Sequence, residues 1–292
     1  MTKSRGADVA ANRKSARAPS GSPFSLKGRR AVITGGSRGI GGAVTRLLAE
    51  AGADVCIGYH SRTTDAVDLA AHCRLLGVKA THHASDISTP AGAKSLIAHA
   101  VTEFGGLDIC VHSAGIWPVD EAPVSTLSDE RWANTMRQNV DAMFYISREA
   151  ARAMEKNPPA GGADISGGPS GRMGCMGRIV LVSSTAGQRG EAMHADYAAS
   201  KGAMISFVKS MAVELAPMGI TVNAIAPGWV DTEMCALPFA NGGKERIAKG
   251  IPVGRIASAD DIAFPIVSLC FDGARHVTGE IVNVNGGSVL CG

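Results

Sequence analysis

Arg30-Ala31-Val32-Ile33-Thr34-Gly35-Gly36-Ser37-Arg38-Gly39-Ile40-Gly41 is a short apolar run closed by a glycine-rich turn. The stretch reads as a strand, a tight turn and the start of a helix that continues through Ala51. Glycines let such a backbone turn sharply and approach an anion, while the helix that follows points its amide-rich N-terminus at it. The spacing is G-x-x-x-G-x-G (Gly35, Gly39, Gly41), not the three-glycine G-x-G-x-x-G fingerprint. At the first strand of a strand–helix–strand pattern it predicts a seat for the pyrophosphate of a dinucleotide; a plain connecting turn is the alternative.

Outward from this turn, strands and helices alternate. Strands are expected at Arg30–Thr34, Asp54–Tyr59, 79–83, 107–112, 178–183, 220–226 and Ile281–Val284. Helices are expected at 63–76, about 89–104, 129–153 and from Tyr197 to the stop at Pro217. Strands separated by helices imply an α/β fold, a single-domain, Rossmann-type doubly wound parallel sheet of about seven strands with helices on both faces. A chain of 292 residues with 45% hydrophobic content is long enough to bury such a core.

The net charge of +3 is unevenly spread. Residues 1–30 hold eight basic side chains and one acid, leaving −4 for the remainder. Residues 1–25 have too few large apolar side chains to fold alone and read as a disordered basic tail, with 26–292 as the catalytic domain. A targeting leader and a nucleic-acid contact are weaker readings of the same composition. No apolar run reaches the ~18 residues of a membrane span. The seven cysteines are scattered and contain no C-x-x-C pair, so neither a disulfide framework nor a metal site is expected, and a cytoplasmic location fits.

A second informative stretch is Tyr197-Ala198-Ala199-Ser200-Lys201. Residues four apart share a helix face, and the stripe continues through Met204, Val208, Met211 and Leu215, so Lys201 lies on a buried face. Charge is costly to desolvate, and a lysine there needs a reason. A fixed cation favours the phenolate of a nearby tyrosine, which otherwise titrates near ~10, and makes it usable as a general acid/base.

These motifs occur in the order found in the short-chain dehydrogenase/reductase family, which the chain resembles from about Leu26 to its C-terminus. The matching elements are T-G-x-x-x-G-I-G at 34–41, Asp86-Ile87 after strand three and Ser113-Ala114-Gly115 after strand four. Further on come Asn139-Val140, Ser184, Y-x-x-x-K at 197–201 and Pro227-Gly228 after strand six. The resemblance implies that Tyr197 donates a proton to a substrate carbonyl oxygen and Ser184 orients that oxygen. Lys201 would bind nicotinamide ribose hydroxyls and lower the tyrosine pKa, and Asn139 would hold a water linking Lys201 to solvent. It assigns cofactor contacts to Gly35, Ser37, Arg38, Gly39, Ile40, Gly41, Tyr59, Ser61, Arg62, Asp86 and Ile87. Ser113, Ala114, Gly115, Tyr197, Lys201, Pro227, Gly228, Val230 and Thr232 complete that set. One departure is Ser113, where relatives usually have Asn; its hydroxyl is expected to supply part of the amide's role in tying the central strands together. His112 is expected to be a satisfied inner-strand histidine.

The resemblance implies an enzyme interconverting a ketone and a secondary alcohol, most like 3-oxoacyl-carrier-protein reductases. A dehydrogenase of a sugar, polyol or steroid-like alcohol is the alternative, and a non-catalytic dinucleotide-binding protein is less favoured. NADP(H) is expected over NAD(H). Strand two ends in Tyr59 with no acid before Asp65, so nothing repels a 2′-phosphate, while Arg38, Arg62 and Ser61 could hold one. Substrate specificity is expected from residues 115–124 and 229–249, with Trp117, Trp229, Met234, Leu237 and Phe239 forming an apolar wall and no arginine cluster. The partner is a small-molecule substrate, not nucleic acid or membrane, and many relatives are homotetramers. Residues 157–177 are rich in Gly, Pro and Ser and read as a loop insertion. It feeds the start of strand five, roughly 20 Å from Ser184 at ~3.3 Å per extended residue, and so is expected on the sheet edge away from the site.

Overall fold

The computed structural model describes residues 24–157 and 177–291. The basic tail, apart from residues 24 and 25, and the insertion between its end residues lie outside the described residues.

Seven parallel strands form one sheet in the order β3-β2-β1-β4-β5-β6-β7. They are β1 (Arg30–Thr34), β2 (Asp54–Tyr59), β3 (Ala80–Ala84), β4 (Ile109–His112), β5 (Gly177–Val182), β6 (Ile220–Pro227) and β7 (Ile281–Val284). Alternate residues of each strand feed opposite faces, as the two-residue period of a strand requires. Ile33, Val55, Ile57, Val111 and Val180 pack on one side with helices α1 (Gly39–Glu50) and α2 (Thr63–Leu75). Val32, Cys56, Cys110, Ile179 and Leu181 pack on the other with α3 (Pro90–Phe104). Both faces are covered, so the strands read as almost unbroken apolar runs instead of alternating ones. The order reverses between β1 and β4, and in such sheets the crevice outside that reversal, at the C-terminal strand ends, is where ligands bind.

The expected helix at 129–153 is interrupted. It comprises α4 (Asp129–Met136), a π turn at Arg137–Asp141 and α5 (Ala142–Met154). Hydrophobic periodicity does not register a single wide turn inside an otherwise helical run. After β5 come α6 (Thr185–Arg189) and the long α7 (Ala195–Leu215). Beyond β6 lie three helices that periodicity did not suggest: α8 (Ala236–Phe239), α9 (Gly243–Lys249) and α10 (Ala259–Ser268). The first two are too short to show a period. The third carries Pro265, a helix breaker by sequence, yet starts with a full capping box between Ser258 and Asp261. α10 joins α1 and α2 on the first face, whereas α5 and α7 join α3 on the second.

Candidate active site

Two openings adjoin at the C-terminal strand ends. The first is a groove of about 1780 Å³ beside the glycine turn. Gly35 and Gly39 have φ of +60° and +52°, the left-handed region that favours glycine. A Cβ on Gly41 would lie 2.2 Å from the Gly35 carbonyl oxygen, so this position closes the turn from beneath. Gly41 is not among the residues lining the groove. Arg38 precedes α1 in extended backbone, and no side chain caps the leading amides of the helix. Gly35, Ser37, Arg38, Gly39, Ile40, Tyr59, Ser61, Arg62, Asp86, Ile87, Ser113, Ala114, Gly115 and Thr232 all line the groove.

The floor between β1 and β4 is tied by Thr34. Its hydroxyl accepts from Ala114 N at 3.2 Å and bonds His112 Nδ1 at 2.9 Å, while its carbonyl accepts from Ser113 N at 3.3 Å. The Ser113 hydroxyl makes no hydrogen bond among the described residues, so the bridging role expected of it falls to Thr34. His112 is only half satisfied, because its Nε2 has no partner among the described residues. Burial, with the Lys201 charge nearby, pushes its pKa down to about 3. The ring is therefore neutral at ordinary pH and unsuited to act as a base.

The second opening, about 860 Å³, is lined by Ser184, Tyr197 and Lys201 together with Pro227, Gly228, Val230 and Thr232. Ser184 caps α6, its Oγ accepting from Ala186 N at 3.1 Å, which leaves its own proton for another acceptor. A hydrogen bond joins it to Tyr197. Lys201 is buried, with Nζ donating to the Val182 carbonyl at 2.8 Å and standing 5.7 Å from the Tyr197 ring centre. A Cβ on Gly187 would lie 2.5 Å from the Lys201 carbonyl carbon, so glycine there lets α6 lie against α7 beside the lysine.

The electrostatics depart from expectation. Burial raises the Tyr197 hydroxyl above the ordinary phenol range, and the bond from Ser184 only partly offsets this. Burial also lowers Lys201 to about 8. Lys201 gives one of its three N–H donors to Val182, and the influence that pulls Tyr197 down is the bond from Ser184, which burial outweighs.

Asn139 sits in the π turn, fully buried. Its side chain accepts from Ile116 N at 2.8 Å and donates to Ile116 O and Ser200 Oγ, both at 3.0 Å. Ser200 in turn donates to the Tyr197 carbonyl at 2.7 Å. The asparagine thus joins the loop after β4 to the head of α7. Asp196, buried next to Tyr197, receives Arg131 at 3.0 Å and Thr135 at 2.8 Å, which locks that head to α4.

The apolar wall is partly as expected. Trp117, Trp229 and Met234 line the cavity, whereas Phe239 packs tilted against Trp229, ring centres 5.8 Å apart. Leu237 is exposed and outside the lining. Three further lining residues, Arg189, Glu191 and Cys235, carry polar chemistry that the sequence did not mark. Burial raises the Glu191 carboxyl, against the pull of His194 3.7 Å away. In the groove, Glu233 was missed as well.

A family model described as enoyl-(acyl carrier protein) reductase matches residues 35–288. The 3-oxoacyl-[acyl-carrier-protein] reductase of Salmonella typhimurium is 33% identical over 267 residues, covering 91% of this chain and 100% of that protein. A short-chain dehydrogenase from Burkholderia cenocepacia, solved in complex with NADP, is 31% identical with a TM-score of 0.78, over 90% of this chain and 98% of that one. A Brucella melitensis structure described as a glucose/ribitol dehydrogenase matches at 31% identity and TM-score 0.78, over 92% of this chain and 99% of that one.

Proposed function

The chain belongs to the short-chain dehydrogenase/reductase family, an oxidoreductase interconverting a ketone and a secondary alcohol with a nicotinamide dinucleotide, and we propose that it does so with Tyr197, Ser184, Lys201 and Asn139 and prefers NADP(H). The observation that carries this reading is the convergence of Ser184, Tyr197 and Lys201 on one cavity that shares Ile40, Ser113, Gly115 and Thr232 with the glycine-turn groove. The groove fits the cofactor: its turn has glycines where the backbone must approach closely, and the leading α1 amides lack a side-chain acceptor.

When bound there, the nicotinamide supplies or accepts the hydride. In reduction, Tyr197 donates its proton to the carbonyl oxygen, which takes on negative charge, and Ser184 hydrogen-bonds the same oxygen. Lys201, which donates to the Val182 carbonyl, would hold the ribose hydroxyls of the bound cofactor and return a proton to the tyrosine. Asn139 holds the loop and α7 in register at this point.

Preference for the 2′-phosphate is supported by Arg38 and Arg62, whose guanidinium groups meet at one carboxylate on the rim of the groove. A 3-oxoacyl thioester is the substrate class that the curated relatives favour. A hydroxylated ketone is the second reading, favoured by the half-buried Glu191, which could accept from a neighbouring hydroxyl. The domain extent of 26–292, a cytoplasmic location and a homotetramer belong to the same proposal; exposed Phe144 on α5 and Val213 on α7 support self-association.

Reduced-cofactor absorbance, followed with acetoacetyl thioester and with simple and hydroxylated ketones, tests the reading. NADPH should give at least tenfold greater kcat/KM than NADH, a difference of about 1.4 kcal/mol. Equal or better efficiency with NADH would overturn the cofactor preference.

A further inference from the structure

Arg38 lies in the glycine turn, Arg62 just after β2, and Glu233 in the segment that follows β6. Glu233 Oε2 accepts from Arg62 Nη2 at 3.0 Å and also from Arg38 Nη1. A single carboxylate oxygen therefore holds both guanidinium groups, across sequence separations of 171 and 195 residues. No other hydrogen bond or ion pair engages these two arginine side chains among the described residues.

The segment carrying Glu233 also separates the two openings. Thr232 and Met234 line both the groove and the catalytic cavity, Glu233 faces the groove, and Cys235 faces the cavity. Thr232 is close to the glycine turn: its Cγ2 lies 3.5 Å from where a Cβ of Gly39 would stand. Beyond it, Asp231 pairs with Lys244 of α9. Charge thus pins the segment on both sides, one pair to the rim of the groove and the other to the helix behind it.

We propose that Glu233 occupies the seat of the cofactor's 2′-phosphate, so that a phosphorylated nicotinamide dinucleotide must displace it and, in doing so, frees the wall shared with the substrate cavity. The inference rests on the NADP(H) preference proposed above. A phosphate carries more charge than a carboxylate and offers several acceptor oxygens to two guanidinium forks, so it wins the exchange. The Glu233 side chain is 62% exposed and the arginines 46% and 50%, so the displaced pair is a screened, weak one. An unphosphorylated ribose provides nothing to exchange for the carboxylate and leaves the latch shut. Glu233 in this sense sets the affinity for the phosphorylated cofactor: it competes with the 2′-phosphate for the two arginines and leaves a ribose without that phosphate unaffected.

The test is direct binding, read by the fluorescence of Trp117 and Trp229, of NADPH, NADH and adenosine 2′,5′-bisphosphate to wild type and Glu233→Gln. Hydrogen exchange of the segment around residues 229–240 is followed in parallel. The substitution is on an exposed side chain, and circular dichroism confirms that the fold is kept. Glu233→Gln should bind NADPH and the bisphosphate about three- to tenfold more tightly, as expected for removing a weak competing ion pair, and NADH within about twofold of wild type. The bisphosphate should speed exchange of the segment in wild type and add little in Glu233→Gln, where exchange is already fast.

Wild type without preference for the 2′-phosphate would overturn the cofactor reading and this inference with it. A wild-type preference that Glu233→Gln leaves unchanged or weakens would spare the cofactor reading and overturn the inference alone. Equal tightening of NADPH and NADH, or bisphosphate binding that leaves exchange of the segment unaltered, would also overturn it.

Discussion

The two edges of the sheet are built from the same strands and do opposite things. At the C-terminal edge, polar groups face the openings: uncapped amides on α1, a Ser184 hydroxyl bonded to Tyr197, and a lysine whose pKa burial has brought down to about 8. At the N-terminal edge, most charges are paired, although buried Arg178 keeps Nε and Nη2 without a hydrogen bond among the described residues. Asp108 accepts from Arg30 Nε at 2.7 Å, Nη2 at 3.0 Å and backbone N at 2.9 Å. Arg29 bonds Asp272 at 2.8 Å and lies 3.9 Å from Asp108. Asn157 closes on Leu107 from the end of α5. The first edge keeps uncapped helix amides beside its openings, whereas the second is tied by ion pairs between the starts of neighbouring strands.

The contrast breaks or sharpens under four tests. Tyr197→Phe removes one hydroxyl from the reactive edge and should lower turnover about 10³-fold, about 4 kcal/mol of barrier, while cofactor affinity stays near wild type. Steady-state kinetics retaining more than about a tenth of the rate would refute the acid role. Asp108→Ala acts on the other edge. It strands Arg30 without its partner and should cost about 2–3 kcal/mol in urea unfolding, with turnover of the folded protein within about twofold. A loss of turnover at unchanged stability would erase the distinction between the edges.

The third test is the pH dependence of kcat/KM for the cofactor in the reductive direction, which reports groups of the free enzyme. Lys201 is an ammonium below about pH 8 and a neutral amine above it, because burial disfavours the charged form. The rate should therefore fall as pH rises through about 8, by about tenfold per unit on the alkaline limb. A flat profile to pH 10 would place the controlling ionisation elsewhere. The smallest effect is expected from replacing residues 158–175 with a short Gly/Ser link. The flanking Asn157 and Gly177 both sit at the N-terminal edge, Asn157 against Leu107 and Gly177 as the first residue of β5. Turnover and cofactor affinity should change less than about twofold, whereas a tenfold loss with fold intact would connect this edge to the chemistry.

The strands were legible because burial on both faces writes each as an apolar run, and β1, β2 and β7 carry the expected bounds. The glycine turn was legible because backbone geometry restricts residue type, as at Gly41, where a Cβ would meet the Gly35 carbonyl. The π turn around Asn139 was invisible, since one inserted residue does not disturb a pattern read over several turns. The polar side of the cavity was hidden for another reason: Arg189 and Glu191 follow Ser184 on a short helix and its connecting loop, where charged residues ordinarily face solvent.

By itself the sequence determined the strands and the longer helices and set the candidate reacting groups side by side. Local patterns set where strands and helices form, and spacing along α7 puts Tyr197 and Lys201 on one face before any folding is considered. Tertiary structure decided what those groups experience. The lowering of Lys201 and the raising of Tyr197 arise from burial by distant segments, and no local spacing encodes them. Only the folded sheet brings Glu233 to Arg38 and Arg62. A carboxylate some 170 to 200 residues away carries no local trace of that meeting, because charge acts through space and the chain records only order.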